Sequence, residues 1–231
     1  ETVASMVTKG NRAADVGCDH GLVPIFLVES GISPLAVAAD VRPGPLSRAK
    51  EHIKEHRLEE KIQTRLSDGL ANIKPGEADS LSMSGIGGIL MMRLLQDEEH
   101  TAKSFKELIL SPQSELFDVR RYLVSNGYLI EYEHMLCDEG KYNLIFHVFV
   151  KKEEREWSEE EYRYGKDICK DDRKTFWAYL EKEERQYEQI LEKMKQAPEN
   201  DRAAQRIAQL HQDITCLKKR RQLVYDCGCF A

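Results

Sequence analysis

Long apolar runs are missing from these 231 residues: none approaches the ~20 consecutive apolar positions of a membrane-spanning helix, so no span is expected within them. No charged-then-apolar leader opens the sequence, which begins at Glu1. Cysteine is sparse, six residues without paired spacing, which argues against a disulfide framework and suits a reducing, cytoplasmic setting. Cys227 and Cys229 near the end are two isolated thiols, too few for a zinc site, and no metal is expected. A surplus of positive charge is lacking too. The formal net charge is −6, and from Lys151 onward 18 basic residues balance 18 acidic ones, so the acidic surplus lies in the first 150 residues. A nucleic-acid binder built this way needs local basic patches.

What is present begins with alternation. Short apolar runs exchange with amphipathic stretches through the first half, the signature of a parallel α/β sheet. NRAADVGC reads as a strand and GLVPIFLVESG as its helix; LAVAADV and PLSRAKEHIKEH form a second pair; KIQTRLSD is a third strand. ADSLSMSG with a helix through GILMMRLL follows, then ELILSPQ with ELFDVRRYLVSNG, which Gly127 stops. YLIEYEHMLCDEGKYNLIFHVFVKK breaks the pattern: two strands joined by DEGK, with no crossover helix. Five parallel strands and an antiparallel hairpin suit a Rossmann-like class I methyltransferase sheet better than a dehydrogenase sheet.

Beyond Lys152 the apolar period lengthens to that of a helix. Trp177, Leu180, Glu184, Tyr187, Leu191 and Met194 fall at spacings of three and four, as do Ala203, Ile207, Leu210, Ile214, Leu217, Arg221 and Val224. QAPEND separates the two runs, with a proline as breaker and Asn200 or Asp201 as helix cap. The expectation is an α/β domain over 1–152 and an antiparallel coiled-coil hairpin over 153–231, either an arm that holds a partner or a packed appendage.

In an open α/β sheet, ligands sit at the carboxyl ends of the strands. Those ends carry Asp15, Gly17, Cys18, Asp19, His20 and Gly21 on the first strand, Asp40 and Val41 on the second, Asp68, Gly69 and Leu70 on the third, and Gly85, Ile86 and Gly87 on the fourth. Gly17 and Gly21 let backbone approach a ligand. Asp40, 23 positions after Gly17, stands where an acid accepts both ribose hydroxyls. Asp68 with Gly69 suits an exocyclic adenine amine. A dinucleotide fingerprint has a middle glycine where this chain has Asp19, and a carboxylate there repels a pyrophosphate. S-adenosyl-L-methionine, with an ammonium and a sulfonium, is the better fit. Taken singly the acids are weaker signals: Asp19 is also a plain helix cap, and Asp68-Gly69 an ordinary turn pair. The fourth strand ends in SGIGG rather than an N/D-P-P-Y motif, and no cysteine adjoins a proline, which disfavours adenine-N6 and pyrimidine-C5 methylation.

DVGCDHGLVPIFLVESG, ADVRPGPLSRAK, SDGLANIKPGEAD, SGIGG, LILSPQ and EHMLCDEGKYN, in this order, resemble the bacterial tRNA (adenine-22-N1)-methyltransferase family, TrmK. The likeness extends over essentially the whole chain. Cys18, Gly21-Leu22, Ile86 and Ser111 depart from the family pattern, and none of these removes an acid or a pocket glycine. The resemblance implies S-adenosyl-L-methionine as cofactor and methyl transfer to N1 of an adenine in the tRNA D-loop region. In that chemistry Asp19 is the candidate to stabilise charge on the base or take its proton, with His20 second. Arg42, Arg48, Arg93, Arg120 and Arg121 near the strand ends, and Lys218, Lys219, Arg220 and Arg221 on the last helix, are the candidates for holding RNA. A monomer or weak homo-oligomer away from membranes is expected. The alternatives are a methyltransferase for another RNA position or a small molecule, and a non-catalytic adaptor that recruits a partner through its coiled coil.

Overall fold

The computed structural model describes residues 1–166, 168, 172–195 and 201–226. Cys227, Cys229, Pro198 and Asn200 lie outside the described residues. Two compact units divide the chain: residues 1–133 with 144–155, and residues 134–143 with 156–231.

In the first unit, β1 (Ala13–Val16), β2 (Ala36–Asp40), β3 (Ile62–Leu66), β4 (Ser80–Ile86) and β5 (Glu107–Pro112) lie parallel. Strands β6 (Leu129–Asp138) and β7 (Lys141–Phe149) complete one sheet of order β3-β2-β1-β4-β5-β7-β6, with β7 antiparallel to β5. Glu139 and Gly140, both at positive φ, make the two-residue turn between β6 and β7, a pairing whose twist matches that of the strands. β1 and β2 are buried along their whole length. They are mostly alanine, so helices approach both faces closely.

Helices α1 (Thr2–Ser5), α2 (Leu22–Glu29), α3 (Pro43–Glu55), α4 (Gly88–Asp97), α5 (Glu99–Ala102) and α6 (Leu116–Ser125) follow in chain order. Pro43 opens α3 at a position where its missing N–H costs nothing. Gly127, at φ +81°, takes the left-handed residue that ends α6. Strand order runs outward from β1 through β2 to β3 and then returns to β4 on the other side of β1. This reversal opens a crevice beyond the carboxyl ends of β1 and β4.

One buried network closes the opposite end of the sheet. Glu107 is 1% exposed. It accepts hydrogen bonds from Thr8 N (2.8 Å) and Thr8 Oγ1 (2.7 Å), from Asn11 Nδ2 (3.2 Å) and from Ser80 Oγ (2.5 Å), with His147 Nε2 at 2.9 Å. These partners hold its carboxyl down at about 2 against the cost of burial. Arg120 corrects an expectation: it is buried, not at a pocket mouth. It donates to Glu133 at 2.7 Å and lies over the Phe146 ring, so a solvated phosphate has no access to it.

The second unit holds α7 (Glu159–Tyr164), α8 (Arg173–Lys195) and α9 (Asp201–Asp226). Ser158 and Glu161 cap α7 reciprocally, each side chain accepting from the other's backbone N–H. Trp177 meets Tyr225, Glu181 meets Arg221 and Glu184 meets Lys218, so α8 and α9 run antiparallel. The tip of the β6–β7 hairpin belongs here: Tyr142 packs edge-on to Tyr179, and Lys182 donates to Gly140 O at 3.1 Å.

The buried face of α9 carries Leu210, Asp213, Cys216, Leu217, Arg220 and Val224. It is wider than a two-helix seam because α7 also packs on it, with Arg163 paired to Asp213 at 2.9 Å. This revises the expected basic end. Arg220 is buried, donating to Lys166 O at 2.9 Å. Arg221 lies over the Trp177 ring and bonds Glu184. Lys218 and Lys219 are exposed but face Glu184 and Glu160. Arg220 and Arg221 are thus taken up within the unit, while Lys218 and Lys219 keep exposed ammonium groups beside those acids.

Candidate active site

A cavity of about 420 Å³ opens at the crevice, within the size range of small-molecule sites. Val16, Gly17, Asp40, Val41, Arg42, Ser67, Asp68, Gly69, Ile86, Leu90, Arg93 and Leu94 line it. Strand ends supply the first residues of each group and the start of α4 supplies the last. The sequence points to Gly17, Asp40, Val41, Asp68, Gly69 and Ile86 from strand ends alone. It does not single out Val16, Ser67, Leu90 and Leu94. Ser67 had a signal, since a small polar residue before Asp68-Gly69 is a turn maker: its Oγ donates to Gly69 O (2.8 Å) and accepts from Asn72 N (3.0 Å).

The loop from β1 to α2 is built from left-handed backbone. Gly17, Asp19 and Gly21 have φ of +82°, +45° and +72°. Asp19 is the unusual one, a non-glycine residue held in a costly region, as occurs at functional sites. Its backbone N–H donates to Asp40 Oδ2 at 3.3 Å. Its carboxylate is half exposed, 3.4 Å from Arg48 Nη2 and 3.5 Å from His20 Nε2. The expected capping role is not its own, because Gly21 is the N-cap residue of α2 and no side chain caps that helix. His20 stacks on His52, whose Nδ1 lies 2.9 Å from His20 O.

Asp40 is buried, with Oδ1 accepting from Arg42 N at 2.8 Å. Asp15 lies deeper, 3% exposed and opposite Ser82 in register. Burial pushes its carboxyl up to about 7, Ser82 opposes the shift and the charge of Asp40 adds to it. Cys18 is buried, and burial with the neighbouring acids pushes its thiol up to about 12, which excludes a thiolate nucleophile. Leu70 also turns its side chain into the core, so at positions 18 and 70 only main chain is available to a ligand.

Gly85 sits at φ +76° in a register shift of β4 against β5. The bulge bends the strand end, as bulges do beside sites. Gly87 N-caps α4 without a side-chain cap, and Gly88 N reaches Ser114 Oγ at 3.3 Å. Gly69 is held by its backbone, at φ +56°, and a Cβ there would also stand 2.5 Å from Leu94 Cδ2, so the leucine would have to shift. Of the arginines expected at the mouth, Arg42, Arg48 and Arg93 are there and exposed, each beside an acid. Arg121 is on the α6 surface near the Phe117 ring. Among the described residues no group of three His, Cys, Asp or Glu is placed to hold a metal, and no helix is long and apolar enough to cross a membrane.

Comparison with known proteins gives this geometry a family. The Bacillus subtilis tRNA (adenine(22)-N(1))-methyltransferase is 32% identical over 141 residues, 61% of this chain and 59% of that enzyme, so the match spans about three fifths of that relative's length. A candidate tRNA (m1A22) methyltransferase of Streptococcus pneumoniae, solved in complex with S-adenosyl-L-methionine, is 30% identical. It covers 95% of this chain and 96% of its own, with a TM-score of 0.82. The structure of the B. subtilis m1A22 tRNA methyltransferase TrmK is 25% identical over 95% of this chain and 96% of that one, with a TM-score of 0.84. The family model described as tRNA (adenine(22)-N(1))-methyltransferase matches residues 13–219, and the chain belongs to that family, TrmK.

Proposed function

We propose that the protein methylates N1 of adenine 22 in bacterial tRNA, using S-adenosyl-L-methionine. The observation that carries this reading is the cavity at the sheet reversal, where Asp40, Asp68 and three strand-end residues, Gly17, Gly69 and Ile86, converge. The donor set fits the cofactor. Asp40 is a buried carboxylate that would hold the ribose hydroxyls, and Asp68 beside Gly69 would accept from the adenine amine. The start of α2, which no side chain caps, would take the methionine carboxylate, while the N–H groups of Gly17, Cys18 and Gly21 already bond Ala39 O and Cys18 O and hold the loop in shape. Asp15, neutral or charged around pH 7, stands behind that loop, and Gly85 and Gly87 give the pocket floor its clearance.

When bound, the cofactor supplies an electrophilic methyl group. The chain's task is then alignment, because the N1 lone pair lies in the ring plane and attacks without a covalent enzyme intermediate. Asp19 acts on the acceptor: it lies beside the cofactor loop with no cofactor group of its own, and its carboxylate stabilises the positive charge that methylation puts on the ring. His20 is the second candidate for that role. The target base leaves its stack to reach this pocket, at a cost of a few kcal/mol. The helical residues 153–231 form a second domain in this reading. The protein works in the cytoplasm, as a monomer or weak homo-oligomer.

The test is methyl transfer from labelled S-adenosyl-L-methionine to an unmodified tRNA transcript with adenine at position 22, beside one with guanine there. Label on the first alone is expected. Label on both discards the position, and label on neither, with cofactor binding intact, discards the substrate.

A further inference from the structure

Each acid at the mouth stands beside an arginine, Arg42 just before α3, Arg48 within α3 and Arg93 on α4. Arg42 Nε stands 3.6 Å from Asp40 Oδ1, Arg48 Nη2 3.4 Å from Asp19 Oδ1, and Arg93 Nη2 3.8 Å from Asp68 Oδ1. Arg93 has a second acid, Asp97, at 3.8 Å one turn along α4. Three cations face four anions, so the ligand-free mouth presents no positive field to a phosphate backbone. The acids have different tasks, however. In the reading above, which this inference extends, Asp40 and Asp68 turn to a nucleoside ligand while Asp19 does not.

We propose that a nucleoside ligand in the cavity releases Arg42 and Arg93 to the tRNA backbone, so that cofactor and tRNA bind cooperatively. Both arginines line the same cavity. Asp40 Oδ1 already accepts from Arg42 N at 2.8 Å, so ribose hydroxyls compete for the oxygen that the guanidinium approaches. The carboxylate keeps its place when the guanidinium leaves, because Arg42 N and Asp19 N still donate to it. The pairs are loose at 3.6–3.8 Å, and both guanidiniums are more than half exposed, the geometry of ion pairs that exchange partners at little cost. A freed guanidinium then offers a planar fork that matches phosphate. Arg48 stays on Asp19, which has no cofactor group to replace it.

The experiment measures fluorescence anisotropy of labelled tRNA transcript across a salt series, with and without saturating S-adenosyl-L-homocysteine, whose own binding is followed by calorimetry. The intact chain is compared with the double variant Arg42→Gln, Arg93→Gln. Wild type is expected to bind tRNA roughly threefold to thirtyfold more tightly with the nucleoside present. Its logarithmic salt slope steepens by about 2, one for each new phosphate contact. The double variant, at S-adenosyl-L-homocysteine concentrations that calorimetry shows to be saturating for it, loses both differences, and a double variant that keeps them overturns the proposal. S-adenosyl-L-homocysteine bound by calorimetry with tRNA affinity and slope unchanged overturns the coupling alone. No calorimetric binding overturns the pocket reading and the coupling together.

Discussion

Replacing Asp15 by asparagine should stabilise the protein, and more so as pH rises. Asp15 is 3% exposed, with its carboxyl at about 7 against an ordinary value of 3.8. A carboxyl raised in the folded state keeps its proton there while the unfolded chain gives it up. Stability is therefore undiminished below the unfolded value and falls as pH climbs toward the folded one. The loss is about 1.4 kcal/mol per pH unit across that window, levelling near 4 kcal/mol above it. Asparagine keeps the shape without the charge, so Asp15→Asn removes the loss. Its advantage in urea unfolding should grow by about 2.5 kcal/mol from about pH 5 to about pH 8. A difference that is flat with pH, or a variant no more stable than wild type at the upper end, refutes the reasoning.

Glu107 has the opposite sign. Its carboxyl is depressed to about 2, so its contribution is full above the unfolded value near 4.5 and is lost as pH falls toward 2; Glu107→Gln should cost about 3 kcal/mol at neutral pH and flatten the acid limb of stability, read by urea unfolding across pH. Arg120→Ala leaves Glu133 buried without its ion partner and should cost about 3–5 kcal/mol in the same assay, while tRNA affinity of the folded protein is unchanged. Gly69→Ala places a Cβ 2.5 Å from Leu94 Cδ2 at φ +56°, so stability should drop by at least ~1–2 kcal/mol and S-adenosyl-L-methionine affinity should fall at least tenfold by calorimetry.

Much of the site is legible in the sequence because sheet topology turns strand ends into neighbours. Gly17, Asp40, Asp68 and Ile86 are spread over some 70 positions, yet each stands at the end of a segment that reads as a strand, and parallel pairing sends all four to one edge. Leu90 and Leu94 are silent in the same reading, since a leucine in an amphipathic helix looks like core until the helix is docked. The failures concern charge. Arg120 and Arg220 are recognised as cations, but nothing local announces Glu133 on another strand or Lys166 O on another turn. A heptad pattern likewise fixes the pairing of α8 with α9 and leaves out α7, whose six residues are too few to show a period. Ion pairing is a long-range property of the fold, and a string of basic letters carries no record of it.

The division of the chain at 133/134, 143/144 and 155/156 bears on how it is made and taken apart. A ribosome delivers the ten residues of the hairpin tip well before the α8 residues that they touch, so Tyr142 waits through more than thirty further residues for Tyr179. The sheet's last strand, β7, must emerge before β5 gains its antiparallel neighbour, which leaves β5 as an unpaired edge during synthesis. Cleavage after residue 155 does not return a cleanly separated first unit either, because it leaves the hairpin tip without Tyr179 and Lys182.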